Sequence, residues 1–234
     1  MHDLCKAKLG KEIMFRYFIC LACLSLGLVV LPGSGYAEKL RVGDFSSQSA
    51  ARKLPEDWKP LTFSDIEAHT RYSLTQDEGR TVVQARSQNA ASCLIRHLRV
   101  DPRKYPWLQW SWKIDHVLEK GDVATKAGDD YAARIYVAFA LDPDQSSLWQ
   151  RMRHKTANAM TERELPGSAL NYIWANQAAP ETMVPNPFAR EARMIVLQSG
   201  NAHSGQWIEE ERNILEDYKR AFGEPPPEII WIAI

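Results

Sequence analysis

Leu108-Gln109-Trp110-Ser111-Trp112-Lys113-Ile114-Asp115 alternates without a break: Leu108, Trp110, Trp112 and Ile114 fall on one side, Gln109, Ser111, Lys113 and Asp115 on the other. Alternation sustained over eight residues is the pattern of a strand with one buried face. A helix would scatter the two tryptophans around its surface, because its side chains repeat every 3.6 residues and not every two. This stretch therefore predicts a sheet protein with an aromatic core.

Working outward, Ala133 to Phe139 repeats the pattern, with Ile135, Val137 and Phe139 on one side and Arg134 and Tyr136 on the other. Thr70 to Thr75 and Thr81 to Ser87 read as the arms of a hairpin that turns at Asp77 and Gly79. Further strands are expected at Ser92 to Leu98, Ala169 to Ala175, Ala192 to Gln198 and Glu228 to Ile234. One helix is expected from about Glu210 to Phe222. Acidic residues lie at its start, Lys219 and Arg220 at its end, and Gly223 with Pro225, Pro226 and Pro227 stops it. The polar stretch from Trp149 to Glu164 is compatible with a helix or a loop. Many short strands and one peripheral helix predict a mainly β, jelly-roll-like two-sheet sandwich, the alternative being an α+β domain with one large antiparallel sheet.

The N-terminus places Lys6, Lys8, Lys11 and Arg16 before an uncharged apolar run from Tyr17 to Leu31, followed by Pro32, Gly33, Gly35, Tyr36 and Ala37. A basic region, a short apolar core and small residues around one larger one are the marks of a signal peptide, so residues 1–37 are expected to be removed and residues 38–234 to form a single domain. The apolar run is shorter than the roughly 20 residues that span a bilayer, which argues against a retained anchor. Cys23 lies in the middle of that run, which argues against a lipidation box. The expected location is periplasmic or secreted, with no transmembrane span after processing.

Residues 38–234 hold 25 basic and 27 acidic residues, a balance that points to no nucleic-acid partner. Cys5, Cys20 and Cys23 fall in the targeting segment, so Cys93 is left without an intramolecular partner and reads as a buried, inert thiol. No Gly-rich phosphate loop, nucleophile elbow or paired cysteines are found, and His69, His97, His116, His154 and His203 are scattered. No metal and no cofactor are expected.

What remains is a polar constellation beside the strands. If the strands at 108–115 and 133–139 are neighbours in one sheet, Lys113, Arg134 and Tyr136 project from the same face, with Asp115 and Asp130 nearby. Such a face suits a saccharide or carboxylate ligand; the alternative is an ordinary solvated face with cross-strand ion pairs. Asp129 and Asp130 after Gly128 read as a turn with an ion pair to Arg134 in preference to a calcium site, which needs more oxygen ligands. The cluster of Glu211, Arg212, Asn213, Asp217 and Tyr218 reads as docking the helix to the sheet.

Taken together, Pro55, Trp58, Leu61 to Phe63, Trp110-x-Trp112-Lys113, Gly128-Asp129-Asp130 with Arg134, Tyr136 and Val137, Asn171-Tyr172-x-Trp174, Glu211-Arg212-Asn213, Asp217-Tyr218 and Phe222-Gly223-Glu224 resemble a bacterial family called domain of unknown function 3047. The resemblance implies an exported single-domain protein and supplies no activity. The family pattern continues past Glu228 to Ile234 into an Asp-Thr-Asp segment that this chain lacks, which implies a chain cut short, with an unpaired sheet edge as its structural cost. The function expected from the residues is a periplasmic module binding a glycan or other small polar ligand. The alternatives are a polysaccharide-active lyase or hydrolase and a structural envelope protein.

Overall fold

The computed structural model describes residues 39–49, 53–63, 66–141 and 166–234. The targeting segment and the stretch from Trp149 to Glu164 lie outside the described residues. The protein is mainly β, with eleven strands and one α-helix among the described residues: β1 (Trp58–Leu61), β2 (Arg71–Asp77), β3 (Arg80–Arg86), β4 (Cys93–Val100), β5 (Trp107–Trp112), β6 (Ala133–Phe139), β7 (Ser168–Ala175), β8 (Met183–Pro185), β9 (Ala192–Ser199), β10 (Ile208–Asn213), α1 (Ile214–Phe222) and β11 (Ile229–Ala233). Seven strands form one sheet in the order β1-β4-β11-β6-β7-β9-β8, while β5 with β10 and β2 with β3 form two-stranded ribbons. The large sheet is mixed, because β7 and β9 run parallel and the other neighbours antiparallel.

The layering is sandwich-like, and β7 shows why. All eight of its residues are buried, so both faces of the sheet are covered there. Leu170, Tyr172 and Trp174 join Ile135, Val137 and Phe139 in the main core under the β5–β10 ribbon and α1. Ile173 and Ala175 face the opposite side with Tyr131, Met194 and Val196. The tryptophans of β5 point inward as their alternation predicts: Trp110 lies 5.3 Å from the Tyr172 ring and Trp112 5.9 Å from that of Trp174. Each such aromatic pair adds roughly 0.5–1.5 kcal/mol beyond its buried area.

Three expectations change. First, β5 pairs with β10 alone, and β6 lies in the large sheet between β11 and β7, so the two alternating strands are not neighbours. Second, residues 208–213, expected in part to open the helix, form β10. Ile208, Glu210 and Arg212 pair with Trp112, Trp110 and Leu108, and ladder bonds to β5 outweigh the local helix signal. The helix begins after Asn213, whose side-chain oxygen accepts from the amides of Leu215 and Glu216 at 3.1 and 3.3 Å. It ends at Gly223, whose φ of 80° is a left-handed cap. Third, β11 is no edge. It lies between β4 and β6, and Leu94 and Ile234 extend the ladder by exchanging both backbone bonds. The hairpin forms as expected, but Asp77 closes the ladder against Arg80 and the turn is made by Glu78 and Gly79, with φ of 47° and 77°.

The polar cluster at α1 docks the helix. Arg212 Nε and Nη2 donate to the Asp217 carboxylate at 2.9 and 2.7 Å, and Tyr172 Oη donates to it at 2.9 Å. Glu181 closes the outer side by accepting from Arg212 Nη1 at 2.6 Å and from Arg220 at 3.0 Å. Asp217 is 5% exposed, so losing its charge leaves Arg212 short of a partner inside the protein. Asp217→Asn is expected to destabilise the fold by about 3 kcal/mol, measured by urea unfolding. The Arg212 hydrogen bond, with Arg220 assisting against desolvation, holds the Glu181 carboxyl below its ordinary 4.5. That contribution is present above the unfolded pKa and is lost as pH falls through the folded one. Between pH 6 and pH 3 the urea midpoint should therefore drop less in Glu181→Gln than in the parent protein.

Candidate functional site

On the face of the large sheet turned away from the β5–β10 ribbon, side chains line up in rows set by register. Ala233, Tyr136, Asn171 and Met194 make one row, and Val184 extends it to the β8 edge. Trp231, Ala138, Ala169 and Ala192 make the row beside it. Arg134 pairs with Ile173 one step to the other side.

Arg134 organises this face. Its Nη1 donates to Tyr136 Oη at 2.7 Å, and its Nη2 donates to the Asp129 backbone oxygen at 3.1 Å and lies 3.4 Å from Asp129 Oδ1. The guanidinium carbon stands 4.8 Å above the Tyr131 ring. Asp129 Oδ2 accepts from Asn186 Nδ2 at 3.0 Å, and Asn186 Oδ1 in turn caps the amides of Phe188 and Ala189. Asp129 is delivered by a tight loop. Gly128 O accepts from the amides of Asp122 and Asp130, and a Cβ at position 128 would stand 2.7 Å from the Asp122 nitrogen, so only glycine fits.

The arrangement is deep yet partly open, with the Arg134 side chain 20% exposed. A guanidinium has five N–H donors. Among the described residues nothing accepts from Arg134 Nε or from the Tyr136 hydroxyl proton. Burial pushes the Tyr136 phenol above its ordinary pKa, and the Arg134 charge only partly opposes it. Burial likewise pushes Tyr131 up to about 12, and among the described residues its hydroxyl has no hydrogen-bond partner. Asn171 is wholly buried, and among the described residues neither its amide nitrogen nor its oxygen has a partner. Burial also raises the half-buried Cys93 thiol, which matches an inert role. Next to Asn186 a depression of about 340 Å³ opens between Val123, Ala124, Val184, Pro185, Pro187 and Arg190.

Of the five residues singled out in the sequence, the structure brings two together, Arg134 and Tyr136. Lys113 leaves the ribbon on the other side of the molecule, where it pairs with Asp77 and Glu78 and lies 5.4 Å over the Trp207 ring, tying the β2–β3 turn to the ribbon. Asp115 and Asp130 are exposed, and Asp129, not Asp130, meets Arg134. Asn171, Asn186 and Tyr131 were not singled out as site residues. The signal for Asn171 was present: within a buried strand it alternates with Tyr172 and so must face the side away from Tyr172 and Trp174. Asp129 has its carboxylate engaged by Arg134 and Asn186, and among the described residues no group of three or more His, Cys, Asp or Glu is placed to hold a metal. No helix of the described residues is long and apolar enough to cross a membrane.

The two tyrosines beside Arg134 should respond oppositely to loss of the hydroxyl. Tyr131→Phe removes an unpartnered buried group and should leave stability unchanged or raise it by up to about 1 kcal/mol. Tyr136→Phe takes an acceptor from a buried cation and should cost about 1–3 kcal/mol, both read from urea midpoints.

No curated protein matches this sequence. The model of the family described as Protein of unknown function (DUF3047) matches residues 56–234, from before β1 to the last residue of the chain. The matched span contains Arg134, Tyr136, Asp129 and Asn171, so the residues of this cluster lie within the family's domain. The chain belongs to the DUF3047 family.

Proposed function

We propose that the protein is an exported binding module that holds a small polar ligand in the Arg134 recess. The observation that carries this reading is the unequal use of two arginines. Arg212 lies among carboxylates that engage all three of its nitrogens, as a structural residue would. Arg134, exposed to a similar degree, has no acceptor at Nε among the described residues and lies beside a phenol whose proton has none among them either. Buried polar groups are ordinarily satisfied, so the Tyr131 hydroxyl and the Asn171 amide, unpartnered among the described residues on the same face, favour a ligand that completes them.

The ligand is held by hydrogen bonds more than by stacking. The Tyr131 face is already covered by Arg134, and Trp110 and Trp112 belong to the core. The aromatic platform that a sugar ring uses is therefore occupied, which favours a compact polar molecule over a long glycan. A lyase would need Tyr136 as a base. Its raised pKa keeps the phenol protonated near neutral pH, where it donates a proton to a hydrogen bond instead of taking one.

Screening the full chain against sugars, polyols, lactams and carboxamides by thermal shift, followed by calorimetric titration of the hits, tests this reading. At least one compound should bind, Arg134→Ala should weaken it at least about tenfold, the loss of one charged-donor interaction, and Lys113→Ala should leave its affinity unchanged. Absence of any binder, or equal affinity in Arg134→Ala, would overturn the proposal.

A further inference from the structure

Asn171 shows what kind of group the ligand turns inward. It projects from β7, the most buried strand, between Tyr136 on one side and Met194 on the other. Its exposure is 0%, and both ends of its amide are unpartnered among the described residues. Apart from Tyr136 and Arg134, its neighbours on this face are apolar: Ala169 and Ile173 on its own strand, Ala138, Ala192, Met194 and Val196 on the adjoining ones. A buried amide with this environment is a receptor for one donor and one acceptor set side by side on an otherwise apolar edge.

We infer that the ligand of the recess carries a cis-amide edge, either a cyclic lactam or a primary carboxamide, that pairs with Asn171. In this pairing the ligand N–H donates to Asn171 Oδ1 and the ligand C=O accepts from Asn171 Nδ2–H. An open-chain secondary amide does not fit, because its trans peptide-like bond points N–H and C=O in opposite directions. A vicinal diol supplies the two bonds but brings further lone pairs and hydroxyl protons against Ala138, Ala169 and Ala192, where nothing satisfies them. A flat lactam or carboxamide ring presents carbon to those methyl groups.

The route to Asn171 leads from the depression at the β8 edge. Val184, which lines that depression, pairs with Met194, and Met194 pairs with Asn171 one strand further in, about 4.8 Å per step. Met194 is unbranched and wholly buried, packed with Tyr131, Ile173 and Val196, and its Sδ lies 3.6 Å from Asn186 Nδ2. On this inference the ligand reaches the amide only when that flexible side chain leaves its packing.

This inference rests on the binding reading above, and the experiment separates the two. The Asn171 side-chain amide resonances of the full chain are followed by nuclear magnetic resonance during titration with 2-piperidone, nicotinamide, N-methylacetamide and glucose. The expected result is that 2-piperidone and nicotinamide shift them at least about tenfold more tightly than the other two, the scale of one well-placed hydrogen bond. Asn171→Leu, with the same number and branching of side-chain heavy atoms, should abolish that preference and raise the melting temperature, since it removes two unsatisfied groups. Tighter binding of glucose or N-methylacetamide, or a lower melting temperature in Asn171→Leu, would overturn the cis-amide assignment. If none of the four probes shifts Asn171 while the wider screen yields an Arg134-dependent ligand, the inference fails and the binding reading survives. If no Arg134-dependent ligand exists, both fail.

Discussion

A strand buried on both faces imposes its period of two on everything packed against it, and β7 is that strand here. Its even residues, Leu170, Tyr172 and Trp174, must enter one layer, and its odd residues, Asn171 and Ile173, the other. A shift of one residue would put Tyr172 and Trp174 into the polar recess and Asn171 among the tryptophans of β5. The aromatic contacts on one face therefore lock the register that delivers Asn171 and its neighbour Tyr136 to the other. Core and candidate site are two readouts of the same pairing.

The two buried arginine clusters show how similar chemistry serves different ends. Around Arg212, Asp217 and Tyr172 a bidentate pair is completed by a phenol and closed by Glu181, so α1 is pinned to β7 and β10. The Tyr172 phenol is pushed well above its ordinary pKa, by burial first and by Asp217 next, and so remains a donor to that carboxylate. Around Arg134 the roles differ. Tyr136 accepts from the guanidinium and keeps its own proton for another partner, while the Asp129 carboxylate is shared with Asn186. The first network is closed, whereas the second ends in groups whose hydrogen-bonding capacity is unused.

Much of the fold was legible because it is local. The alternation of Leu108 to Asp115 and of Ala133 to Phe139, the turn at Gly79 and the stop at Gly223 each reside in a few adjacent residues. What was not legible was which strand lies beside which. Nothing in the residues of β5 states that its partner is β10, about a hundred positions later, and the assumption that β5 adjoins β6 carried Lys113 into the site wrongly. The charges of Glu209 to Glu211 suit a helix start as well as an exposed strand, and only pairing with β5 decides between them. Asn171 was hidden for a related reason. A polar residue in an apolar strand becomes informative only when its neighbours are known to offer it nothing.

If the Arg134 cluster binds a ligand as proposed, the balance of charge around it limits which ligand that is. Arg134 and Asp129 neutralise one another, and the Asp129 side chain is 7% exposed. An anionic ligand that drew the guanidinium to itself would leave that carboxylate buried with Asn186 as its remaining side-chain partner, at a cost of several kcal/mol. A cation would meet the guanidinium and the same difficulty with opposite sign. A neutral ligand can use Arg134 Nε–H, the Tyr136 hydroxyl and the Asn171 amide while the ion pair stays intact, because none of those groups is engaged by Asp129. On the proposed binding reading the ion pair would therefore act as a filter, because an uncharged, hydrogen-bonding molecule is the one that could enter without breaking it.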